Sequence, residues 1–125
     1  MIVLDSSAAL AVLLNERGAD VVTSRFGEAA ISAASLAEIL TKAMQRGISS
    51  EAAYAAFLDF GVAIASVTAL QARIAAEISR APRKLDLSLG DRLCIALAIS
   101  LNCELITSNR GIAGFEAGVP ISLFR

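Results

Sequence analysis

The pattern that most limits this chain is the alternation of short aliphatic runs with helically spaced segments. "IVL" at 2–4, bounded by Asp-Ser-Ser, reads as a buried strand. "AAIS" at 29–32, "VAIASV" at 62–67, "ELITS" at 104–108 and "VPISLF" at 119–124 read as four more. Helices are expected between them, over about 7–14, 19–26, 35–47, 49–61, 68–81 and 90–102. In the third of these, Leu36, Ile39, Leu40, Ala43 and Met44 hold the i, i+3, i+4, i+7, i+8 spacing, and Gly47 closes it. Thr68 and Gln71 form a capping-box pattern, and the helix they open stops before Pro82. Strands alternating with helices predict an α/β domain with a central, mostly parallel sheet of about five short strands and helices on both faces. In such folds ligands bind outside the carboxyl ends of the strands, near a topological switch point.

A chain of 125 residues has room for a single core, so residues 1–125 are read as one domain. The apolar share of 56% exceeds that of most soluble domains, which suggests that another chain covers some apolar surface. With 11 basic and 12 acidic residues there is no global attraction for nucleic acid, so any such binding needs a local patch. Cys94 and Cys103, without a single histidine, read as inert thiols rather than a disulfide framework or zinc site. No basic leader follows Met1, and the longest uncharged stretch, 13 residues at 60–72, is too short to span a bilayer. A soluble, cytoplasmic protein is expected.

Three acids stand among apolar residues at strand ends or helix starts. Asp5 ends the first strand, Glu38 lies in "ISAASLAEIL", and Asp91 lies in "LSLGDRLCIALA". Singly, each has a plain structural role. Asp5 can cap its helix, Ser35 and Glu38 have capping-box spacing, and Ser88 and Asp91 resemble such a box. Caps do not require three carboxylates on one edge of a sheet. Converging carboxylates repel unless a cation neutralises them, and hard oxygen donors suit Mg²⁺ or Mn²⁺. The expected chemistry is attack of activated water on a phosphodiester. Thr107, Ser108 and Asn109 add neutral oxygens on the same edge.

"IVLDSSAALAVLLNE", "ISAASLAEI", "LSLGDRLCIALA" and "LITSNRG", in this order, resemble the PIN-domain family, and within it the VapC-type toxins of type II toxin–antitoxin systems. The resemblance covers nearly the whole chain. It implies a metal-dependent endoribonuclease whose acids hold Mg²⁺ or Mn²⁺, with Asp5, Glu38 and Asp91 as catalytic residues and metal ligands. Asn109 stands where the family usually has a fourth acid. It offers a carbonyl oxygen without charge; Asp86, the other acid near Asp91, is read as a solvated loop acid rather than a replacement for that charge. Ser6 and Thr107 match positions that support the site through hydrogen bonds, with Ser108 beside them.

Basic residues are needed to bring a phosphate backbone to an acidic pocket. Arg80, Arg83 and Lys84 in "RAPRKLD", with Arg92 and Arg110 adjoining two motifs, are the candidates for RNA contact. The resemblance further implies a VapB-type antitoxin seated near the helices at 35–46 and 50–60, and a toxin homodimer; no membrane association is expected. The alternative reading is a catalytically weakened PIN-like module acting through protein binding, with Asn109 marking the loss. A phosphoacceptor receiver domain shares the alternation but needs adjacent acids after the first strand, where this chain has Asp5-Ser6-Ser7.

Overall fold

The computed structural model describes all 125 residues. Its strands are β1 (Ile2–Leu4), β2 (Ala29–Ser32), β3 (Ala63–Ala65), β4 (Glu104–Thr107) and β5 (Ile121–Leu123). The helices are α1 (Ser6–Leu13), α2 (Ala19–Thr23), α3 (Ala33–Gln45), α4 (Ser50–Asp59), α5 (Ala69–Ile78), α6 (Leu89–Leu101) and α7 (Arg110–Ala113), with 3-10 turns at Phe26–Glu28 and Arg83–Leu85. All four strand pairings are parallel, and the spatial order is β3-β2-β1-β4-β5. The chain builds outward from β1 in one direction through β3, then crosses to β4 on the other side. The switch point therefore lies between β1 and β4, whose register pairs Leu4 with Ile106.

Strand β1 is apolar throughout because both sheet faces are covered. Ile2 and Leu4 enter one core with Leu10, Val22, Ile31, Ile39 and Phe57, contributed by α1 to α4 and β2. Val3 points the other way, into a core with Ile78, Cys94, Ile95, Leu97, Leu105 and Ile112. The two-residue side-chain period of a strand thus sorts a three-residue run onto two cores.

Several sequence expectations shift by a residue or more. The helix expected over 19–26 ends at Thr23 and yields to a 3-10 turn. Helix α3 starts at Ala33, capped by the Ser32 side chain on the Ala34 amide, so Ser35 is an interior residue and makes no capping box with Glu38. Ser32 wins because it already closes β2 in extended geometry, the backbone an N-cap requires. Thr68 caps α5 through the Gln71 amide, but Gln71 does not reciprocate, and its Oε1 is buried without a partner. The Ser88–Asp91 box forms in full: the Asp91 amide donates to Ser88 Oγ, and the Ser88 amide donates to Asp91 Oδ2. No helix is long and apolar enough to cross a membrane.

Candidate active site

Asp5 follows β1 directly and caps α1, with the Ala8 amide donating to Oδ1 at 3.0 Å. Two hydroxyls also serve this carboxylate: Ser7 Oγ donates to Oδ1 at 2.6 Å and Thr107 Oγ1 to Oδ2 at 2.5 Å. Ser7 Oγ in turn accepts the Ser108 amide at 2.9 Å, and Thr107 Oγ1 accepts the Asn109 amide at 2.8 Å. One network therefore stitches the ends of β1 and β4 together at the switch point. Asp5 is 4% exposed and Thr107 fully buried. Burial holds the Asp5 carboxyl above the usual carboxylate range; the bonds from Ser7, Thr107 and Ala8 oppose this, and the Asp91 charge adds to it.

Asp91 lies in the first turn of α6 and Glu38 in the second turn of α3, two helices packed on each other. Their common neighbour is Cys94, whose thiol donates weakly to the Leu4 carbonyl at 3.9 Å beneath the site. Burial pushes the Cys94 thiol well up, the charge of Asp5 adds to this, Ser35 opposes it, and the charges of Asp91 and Glu38 raise it further. The three carboxylates expected from sequence thus act on one buried atom. They do not close into a ready-made cage, because no group of three or more His, Cys, Asp or Glu side chains sits at metal-holding distance.

The donor set still fits a hard divalent cation. Two carboxylate oxygens offer about four acceptor positions, of which Asp5 uses three within the chain. No cation pairs with it. Asp91 commits Oδ2 to its cap and leaves Oδ1 without a partner. Mg²⁺ is typically held by one or two carboxylates, water and substrate phosphate, which is what such a half-open set supplies. Glu38, half exposed, meets Lys42 at 3.4 Å in a surface ion pair.

The remaining sequence candidates divide by position. Ser6 makes no side-chain hydrogen bond, whereas its neighbour Ser7, not singled out from sequence, bridges Asp5 and Ser108. Asn109 caps α7, its Oδ1 accepting the Gly111 and Ile112 amides at 2.8 and 3.2 Å. Arg80 faces Glu77 at 3.8 Å on the surface. Arg83 and Lys84 lie in the 3-10 turn before α6. That turn rests on α7 so closely that a Cβ on Gly111 would come within 2.0 Å of the Leu85 carbonyl oxygen. Arg92 ties α6 to α5, its Nη1 donating to the Ala75 carbonyl at 3.1 Å. Arg110 opens α7 on the exposed side, and Asp86 sits in left-handed geometry at φ +50°.

The site is thus a buried acid at the switch point of an all-parallel α/β sheet. The sequence pattern of the PIN domain family matches residues 2–117, and the chain belongs to that family. No curated protein sequence matches it significantly. Among solved structures, it is similar to a chain of a toxin–antitoxin complex from Klebsiella pneumoniae, with TM-score 0.80 and 18% identity over 100% of this chain and 98% of that one. VapBC2 from Rickettsia felis bound to a DNA fragment from its promoter gives 0.72 and 19% over 98% of each chain. DNA-bound VapBC from Salmonella typhimurium gives 0.73 and 16% over 99% and 98%. At these identities the likeness is one of fold.

Proposed function

We propose that this PIN domain is the toxin of a VapBC-type pair and cleaves RNA as a Mg²⁺- or Mn²⁺-dependent endoribonuclease. The observation that carries this reading is Asp5, a buried carboxylate without a counter-ion, at the switch point and within the field of Asp91. Asp5 and Asp91 would hold the ion, with Glu38 as the third carboxylate. A bound divalent cation supplies water of lowered pKa and offsets charge building on the phosphate. Ser7 and Thr107 fix the Asp5 carboxylate so that its open acceptor position is set before substrate arrives. Glu38 or Asp91 would orient the attacking water. Arg80, Arg83, Lys84, Arg92 and Arg110 contact phosphates of the RNA.

The VapBC complexes of similar fold support an antitoxin partner. So does the apolar surface that α3 and α4 leave open at Met44, Tyr54 and Leu58. A homodimer and a cytoplasmic site of action belong to the same reading.

A second reading is favoured by one observation. Asn109 brings no charge, and its Oδ1 is occupied by the α7 amides. In this version the site is weakened and the protein acts by binding its partner.

The deciding experiment incubates purified protein with total RNA in Mg²⁺, Mn²⁺ or EDTA. The nuclease reading expects metal-dependent fragments that vanish in EDTA and in Asp91→Asn. Inert wild type together with an active Asn109→Asp variant establishes the second reading instead.

A further inference from the structure

A cavity of about 220 Å³ opens where the end of α5 meets the start of α6. Ile78 and Leu87 form its apolar wall; Ile78 belongs to the packed core of that sheet face and the half-buried Leu87 packs against it, so the wall is preformed. Ser79, Arg83, Asp86 and Arg92 supply the polar lining. A water occupies about 30 Å³ of liquid, so the space equals roughly seven waters, enough for a phosphate with its sugar.

The charges in this cavity are not used up within the chain. Neither Arg83 nor Arg92 takes part in any ion pair, although Asp86 shares the lining with both. Arg92 spends one of its five N–H donors on the Ala75 carbonyl, which anchors the guanidinium in the α5–α6 seam and leaves the rest for a ligand. Arg83 has no side-chain partner and is carried by the turn that Gly111 holds against α7. An anchored guanidinium with a second, uncommitted one beside it is matched to a phosphate. The carboxylate beside them repels a phosphate but accepts a hydroxyl. A ligand carrying an anion and an adjacent hydroxyl satisfies both, and a ribose phosphate is such a ligand.

We propose that this cavity is a ribonucleotide subsite for the strand cut at the neighbouring acidic edge. Arg83 and Arg92 take the phosphate next to the scissile one, and Asp86 accepts the ribose 2′-hydroxyl. The inference rests on the nuclease reading for its substrate, and it adds a source of preference for RNA over DNA outside the acid cluster. Asp91 and Arg92 are consecutive in α6, so one helix start serves both the cut and the subsite.

The test measures binding without cleavage. A fluorescent oligoribonucleotide and the deoxy strand of the same sequence are titrated in EDTA against wild type, Arg83→Gln and Asp86→Gly, the last removing the acceptor while suiting the left-handed backbone at that position. Both altered residues are exposed, and retained melting temperatures confirm the fold. Arg83→Gln is expected to weaken RNA binding about tenfold and to lower the salt dependence by about one phosphate contact. Asp86→Gly is expected to bring the RNA-to-DNA affinity ratio towards one. Wild-type affinity in Arg83→Gln, or an unchanged ratio in Asp86→Gly, overturns the subsite. Cleavage by the wild type in Mg²⁺ with both variants binding normally removes the subsite and keeps the nuclease. Binding that responds to both variants, with no cleavage in any metal, keeps the subsite and removes the nuclease.

Discussion

Thr107 Oγ1 donates to Asp5 Oδ2 at 2.5 Å, joining residues 102 positions apart across the β1–β4 pair. Two strand ends that the sequence keeps at opposite ends of the chain are thus locked at one carboxylate. Thr107→Val keeps the shape and removes the donor. A buried acceptor left without its partner costs about 1–3 kcal/mol. The variant is expected to melt several degrees lower and to need more Mg²⁺ for activity; calorimetry and a metal titration read the two effects separately.

Asp5→Asn should separate stability from function. Because burial raises the carboxyl of the folded protein above its ordinary value of 3.8, the native state binds more protons than the unfolded chain between those two pH values. Stability from this group is therefore present at low pH and is lost as pH rises through the folded value. At neutral pH the charge is a net cost, and Asn removes it while keeping an acceptor for Ala8. The variant is expected to melt at or above the wild-type temperature at pH 7 and to lose cleavage. A melting series from pH 4 to 8 checks this; a markedly lower melting temperature at pH 7 contradicts the assignment.

Glu104 carries the opposite sign. Ser122 Oγ donates to it at 2.6 Å and Arg25 Nη1 at 2.8 Å, and these bonds hold its carboxyl below the ordinary 4.5. The stability it contributes is full above that unfolded value and is lost as pH falls through the lower folded one. Glu104→Gln is expected to lower the melting temperature at pH 7 and to flatten the acid limb of its pH profile. Equal acid sensitivity in variant and wild type rules the clamp out as the cause.

Gly111→Ala tests the seat of the basic turn. A methyl group 2.0 Å from the Leu85 carbonyl cannot be accommodated without moving residues 83–85 or α7. Overpacking of this kind costs about 1–3 kcal/mol. The expected result is lower stability together with weaker RNA binding, since the displaced turn carries Arg83 and Lys84; hydrogen exchange across 83–88 localises the change.

The strand runs were legible because each leaves a local mark, an aliphatic run with β-branched residues; the three acids stand out in the same way, as carboxylates amid apolar neighbours, but how far apart they sit does not. The Ser88–Asp91 box was legible for the same reason, since its four residues are contiguous. The choice between Ser6 and Ser7 was not. It depends on how α1 leaves β1 and on which hydroxyl meets the Ser108 amide from β4, and strand order settles both. Ser32 displaced Ser35 as the cap of α3 because β2 ends on it, a boundary that pattern alone misses by a turn. The Arg25–Glu104 clamp spans 79 residues and the Gly111–Leu85 approach joins two loops, so neither leaves a periodic trace.

The Asn109 side chain serves α7 through an oxygen that aspartate would offer equally well. The backbone at this corner is therefore indifferent to which of the two residues it carries, while the electrostatics of the neighbouring edge are not. On the nuclease reading proposed above, an exchange between the two at position 109 alters the charge at the metal-binding edge and leaves the cap of α7 as it is.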